Sequence, residues 1–176
     1  MASINSVFHL KPINGIDIID KLPDSGYKKR LLRDLGQIRD RNYQITTIYI
    51  DSLREDLSIN VYDKVCDTIY TFVFKHSKYP FLPPYLQINY KSYLHFYKTK
   101  NEYVINEIEK YIGNKCMCCK SIICHNNWSP TNSLINIIEE HKYFRNIIKK
   151  NAYNAYVSVI KRKYLVCDID LLSWLV

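Results

Sequence analysis

Four of the chain's six cysteines lie within Cys116–Pro130, which reads CMCCKSIICHNNWSP. Thiols this dense serve one of two chemistries. A thiolate is a nucleophile that forms covalent intermediates with acyl groups, and positive neighbours such as Lys115, Lys120 and His125 favour it. Thiolates and imidazole also hold zinc, here drawn from Cys116, Cys118 or Cys119, Cys124 and His125. Zinc takes four ligands at tetrahedral corners, usually from separated pairs of cysteines. The candidates all fall within ten residues and two are adjacent, so one short loop would have to wrap the ion. The crowding favours a nucleophile, and no metal or cofactor is expected. His125 is expected in a solvent-facing turn. Cys124, behind two isoleucines, is expected in the core.

The segment must be positioned by the elements around it. Pro23–Gly26 is a helix-start signal, with Asp24 or Ser25 able to cap the first turn. Tyr27, Leu31, Leu32, Leu35 and Ile38 then recur at helical spacing, while Lys28, Lys29, Arg30 and Arg33 fall largely on the other faces. This predicts a basic amphipathic helix over residues 25–41. Strand patterns follow at Gln44–Asp51, Leu57–Tyr62 and Thr68–Lys75, linked by short polar turns that suit an antiparallel meander. Tyr70, Phe72 and Phe74 alternate as core residues do. Tyr79–Pro84 (YPFLPP) carries three prolines in six residues and must be a rigid turn. Leu86–Tyr90 reads as a fourth strand. A helix is expected over Asn101–Tyr111 with Gly113 as its stop. Ser129-Pro130-Thr131 reads as the start of another helix, whose buried stripe is Leu134, Ile135, Ile137 and Ile138. Helical patterning continues through Phe144–Lys150 and Ala152–Arg162, and a short last helix is expected after Asp168. Strands grouped together and helices grouped together make the expected class α+β.

Composition sets the outer bounds. A chain of 176 residues fits a single domain, 1–176. It has no apolar run near the roughly eighteen residues that span a bilayer, so no membrane association is expected. The N-terminal sequence shows no signal-peptide pattern, and reduced thiols in a cytoplasmic or nuclear setting are the expectation. The net charge of +8 permits contact with nucleic acid or an acidic protein surface and proves neither. Sixteen tyrosines beside abundant Lys, Ile and Asn, with only four glycines, read as AT-rich codon usage of the kind found in some viruses and parasites. Part of the positive charge is then drift. The aromatics follow strand alternation rather than a stacking platform, so nucleic acid is not an expected partner.

Taken in order, a basic first helix containing KRLLRDL, a four-stranded meander, YPFLPP, a cysteine segment, Trp128-Ser129-Pro130 and a helix resemble the ubiquitin-conjugating enzymes. The likeness covers residues 25–145, leaving 146–176 as a helical C-terminal extension. It implies the α+β fold of that family. It also implies acyl transfer through a cysteine thioester, from an activating enzyme to this chain and then to a lysine. The implied partners are ubiquitin or a ubiquitin-like modifier, an activating enzyme and a ubiquitin ligase. Cys119-Lys120-Ser121-Ile122-Ile123 is similar to the family's Cys-Leu-Ser-Ile-Leu and lies nine residues before Trp128, inside the family's spacing of roughly eight to ten. Cys119 therefore ranks first as nucleophile. Cys118, ten residues before Trp128, ranks second, and Cys116, twelve before it, third. The resemblance further implies that a ligase grips Phe81 and the Ser129-Pro130 loop, and that Lys28, Lys29 and Arg33 meet the activating enzyme. The chain departs from the family in three places. Tyr93–Thr99 stands where His-Pro-Asn is usual, Lys64–Thr68 replaces a glycine-rich loop, and a helix is inserted near Asn101–Tyr111. An inactive relative that only binds its partners is the alternative these departures leave open.

Overall fold

The computed structural model describes residues 15–20, 22–51, 56–75, 78–93, 102–113 and 119–164. Its elements are α1 (Gly15–Asp20), α2 (Gly26–Asp40), β1 (Gln44–Asp51), β2 (Asp56–Asp63), β3 (Thr68–Phe74), β4 (Tyr85–Ile88), β5 (Lys91–Ser92), α3 (Glu102–Ile112) and α4 (Leu134–Tyr164). The class is α+β, and the sheet runs β1-β2-β3-β4-β5. The chain forms two compact units, residues 1–91 with 133–135, and residues 92–132 with 136–176.

In the first unit, Ser25 caps α2 by accepting the Lys28 N–H on its hydroxyl at 3.3 Å. Leu31, Leu35 and Ile38 form the buried stripe, whereas Leu32, expected on it, is exposed. The fourth buried position is a carboxylate, Asp34. Its charge is compensated by Arg30 one turn earlier, whose Nε lies 3.0 and 2.9 Å from the two oxygens, and by the Tyr79 hydroxyl. Arg30 is thus half-buried and not part of a solvated basic face. The Tyr79 ring meets Phe74 edge-on at 4.9 Å and Tyr27 at 6.2 Å, and the Arg30 guanidinium lies over it at 5.8 Å. Burial, then the charge of Asp34, holds the Tyr79 phenol above its usual range, so it stays a proton donor. YPFLPP is therefore pinned to α2 at its first residue, and it closes as a tight turn with Leu82 N–H on the Lys78 carbonyl at 2.8 Å.

The strands pair antiparallel from β1 to β4. Register puts Leu57, Ile59 and Val61 opposite Phe74, Phe72 and Tyr70, and Leu86 and Ile88 opposite Phe72 and Tyr70. All eight are buried. Each large one contributes on the order of 1.5–3 kcal/mol of transfer free energy, so this face is the energetic centre of the unit. The fourth expected strand is shorter than its sequence pattern, and a fifth follows it. Asn89 and Tyr90, at φ 47° and 64°, form a two-residue reversal that sends the chain into β5. Asn89 secures it by accepting the Ile69 N–H on its side chain at 2.8 Å.

In the second unit, α3 ends where Gly113 takes φ 75° and its N–H meets the Glu109 carbonyl at 2.7 Å. Helix α4, whose first two residues group with the first unit, begins at Leu134, not at Ser129. The Ser129 carbonyl accepts the Asn132 N–H at 2.9 Å and its hydroxyl lies 2.8 Å from Thr131 Oγ1, so residues 129–132 are a separate turn. The helical patterning expected to continue through Phe144–Lys150 and Ala152–Arg162 belongs to this one continuous helix of 31 residues. The helix expected after Asp168 lies outside the described residues. Among the described residues no helix is long and apolar enough to cross a membrane.

Candidate functional site

Cys119 opens a chain of tight turns in the second unit. The Cys124 N–H bonds the Ser121 carbonyl at 3.0 Å, and the Asn127 and Trp128 N–H groups bond the Cys124 carbonyl at 2.8 and 2.9 Å. The Cys119 side chain is exposed and Cys124 is half-buried. His125 is exposed, as its sequence context predicts. Cys116 and Cys118 lie outside the described residues, as does the expected His-Pro-Asn counterpart beyond Tyr93. Among the described residues no group of three or more His, Cys, Asp or Glu side chains is placed to hold a metal.

Two side chains fix this turn. Asn127 donates its amide to the carbonyls of Cys119 at 2.8 Å and of Ser121 at 3.1 Å. From α4, Glu140 accepts the Ile122 N–H at 2.8 Å on one oxygen, and the hydroxyls of Ser121 at 2.6 Å and Tyr93 at 2.8 Å on the other. The two hydroxyls also lie 2.8 Å apart. Ser121 is 1% exposed and Tyr93 2%, so both hydroxyls need internal partners, and a single carboxylate provides them. His141, the next residue along α4, is 1% exposed with its ring 6.5 Å from that of Tyr93. Burial, with Arg145 and Lys142 adding to it, pushes the imidazole down to about 4, so it is neutral at neutral pH.

The remaining candidates are spread over both units. In the first, Phe81 stands 74% exposed at the tip of the proline turn. Lys29 and Arg33 share an exposed face of α2, Lys29 carrying a loose ion pair with Asp24 at 4.0 Å that adds little stability. Lys28 is turned away from them: its Nζ donates to the carbonyls of Asp20 at 2.8 Å and Leu22 at 3.2 Å. In the second unit Ser129 is half-buried and Pro130 exposed.

Tyr93, Ser121, Asn127 and Glu140 were not legible as a set. Glu140 sits three residues after buried Ile137, at the border of the helix's apolar stripe. An acid so placed beside an apolar stripe is the one local signal of an internal partner. Compared with protein-family models, curated proteins and solved structures, the chain matches none.

Proposed function

We propose that this chain is a divergent ubiquitin-conjugating enzyme that accepts ubiquitin or a ubiquitin-like modifier on Cys119. The observation that carries the proposal is an exposed thiol on an anchored turn, nine residues ahead of Trp128-Ser129-Pro130 and downstream of YPFLPP. A helix followed by antiparallel strands in meander order, before the proline turn, is compatible with the same reading. In the reaction the Cys119 thiolate attacks the carbonyl of the modifier's thioester on the activating enzyme. A new thioester forms and the activating enzyme's thiol leaves. A lysine amine then attacks that carbonyl, forming an isopeptide bond and returning Cys119 as a thiol. Exposure of the sulfur suits both steps, since two proteins must reach it in turn. Phe81 and Ser129-Pro130 would serve a ligase, and Lys29 and Arg33 an activating enzyme. Lys28 contributes less to that contact because its ammonium holds the end of α1.

One observation favours a second reading, a conjugating-enzyme-like module that binds partners without forming a thioester. The family's oxyanion donor is an asparagine in His-Pro-Asn, and Asn127, which is anchored beside Cys119, spends its amide on two backbone carbonyls. Incubation with activating enzyme, ATP and ubiquitin, followed by non-reducing gels, separates the two. A thiol-sensitive adduct lost in Cys119→Ser and kept in Cys116→Ser and Cys118→Ser establishes the enzyme and its nucleophile. No adduct in the parent chain, with an activating enzyme competent on a control, refutes the enzyme reading.

A further inference from the structure

The turn that carries Cys119 is held by backbone bonds, by Asn127 and by a carboxylate that α4 supplies. We infer that Glu140 is a positioning residue that fixes the Cys119 turn through Ser121, Ile122 and Tyr93. A carboxylate has only acceptors to offer, and the three groups around it all donate. Two of those donors are the buried hydroxyls of Ser121 and Tyr93, and the third is the Ile122 amide, three residues beyond Cys119. On the near side, Asn127 holds the Cys119 carbonyl itself. The peptide is thus gripped at residue 119 and again at residues 121 and 122, leaving the thiol on a short tether with few positions to sample. Ser121 is not a rival nucleophile, because its oxygen is buried and bound to Glu140.

The consequence for transfer rests on the thioester reading above; the ordering of the turn does not. Acyl transfer between two protein thiols demands close alignment, and a displacement of about 1 Å can cost roughly a hundredfold in rate. A small alkylating reagent makes no such demand. Loss of Glu140 therefore separates two reactivities of the same sulfur.

The test uses the full chain with Glu140→Ala and Glu140→Gln, the latter keeping a carbonyl for the Ile122 N–H. Backbone amide exchange over residues 119–128, site-resolved alkylation of Cys119 by iodoacetamide, and charging with ubiquitin are compared. In Glu140→Ala the Ile122 amide should exchange at least about tenfold faster while the thermal transition stays cooperative. Charging should fall by about tenfold or more, whereas Cys119 alkylation should stay within about threefold of the parent. Glu140→Gln should recover most of both losses. Unchanged exchange at Ile122 in Glu140→Ala overturns the inference, as does faster exchange with charging intact. If the parent forms no adduct, the function proposal fails by itself, and exchange still decides: acceleration confined to residues 119–128 supports the positioning role and its absence overturns it. If Glu140→Ala does not fold, Ser121→Ala removes one of the three donors, and its expected acceleration at Ile122 is read by the same criteria.

Discussion

Lowering the pH from 7.5 to 5 should destabilise the chain through one identifiable residue, His141. Its ring is almost wholly buried on α4 and its titration is pushed from 6.5 down to about 4 by burial, with Arg145 and Lys142 adding repulsion. The folded chain therefore binds its imidazole proton later than the unfolded chain does. Stability from this group is fully present above 6.5, declines as the pH falls, and is fully lost below about 4. At about 1.36 kcal/mol per pH unit, the whole window is worth on the order of 3 kcal/mol. At pH 5 the unfolded His is almost entirely protonated and the folded one is not, which makes the loss about 2 kcal/mol. Urea unfolding at pH 7.5, 6, 5 and 4.5 measures it, with His141→Gln as the reference. Carboxylates titrate alike in the two proteins and cancel in the difference. The parent should lose about 2 kcal/mol more than His141→Gln between pH 7.5 and 5. Equal pH slopes in the two proteins, or an NMR titration placing His141 at 6.5 or above, would refute the reasoning.

Tyr79→Phe leaves the Asp34 carboxylate short of a donor in a buried site and should cost about 1–3 kcal/mol in urea unfolding. Phe72→Ala should cost about 3–5 kcal/mol, because the ring is fully buried against Ile59 and Leu86 positions of the sheet, while Phe81→Ala should change stability by less than about 0.5 kcal/mol. Gly113→Ala meets open space but forces a left-handed backbone on alanine at φ 75°, so circular dichroism melts should show a loss of about 1 kcal/mol.

What the sequence disclosed was whatever depends on neighbours a few residues apart. The bounds of β1 agree with the pattern of Gln44–Asp51 residue for residue, and Tyr70, Phe72 and Phe74 are core because strict alternation leaves them no other face. Ser25 as cap and Gly113 as stop were equally local. Two of the features missed share a cause, a partner far away in sequence. Local pattern did not single out Asp34, whose partner Tyr79 is 45 residues distant. Nor did it single out Glu140, whose partners Ser121 and Tyr93 lie 19 and 47 residues upstream. Leu32 was assigned to the core by spacing alone, and Ser129-Pro130-Thr131 by a helix-start signature that the intervening turn at Asn132 overrides. Motif spacing ranked Cys119 first, and the structure shows its side chain exposed. The apparatus that holds it was not legible, since its donors come from three separate stretches of chain.

The irregularity in β1 bears on the protein's behaviour in concentrated solution. An edge strand of eight residues with no charge between its ends, and with Tyr49 and Ile50 exposed, has the composition that recruits further strands and seeds fibrils. Its pairing with β2 slips between Ile45 and Thr47, where the Thr46 hydroxyl bonds the Asn60 carbonyl at 3.3 Å and the Asn60 amide reaches Thr47 Oγ1 at 2.6 Å. The extra residue bends the strand and breaks the even spacing of donors and acceptors along it. A second chain arriving flat against β1 finds a regular template only from Thr47 to Asp51, and a break of this kind opposes edge-to-edge polymerisation.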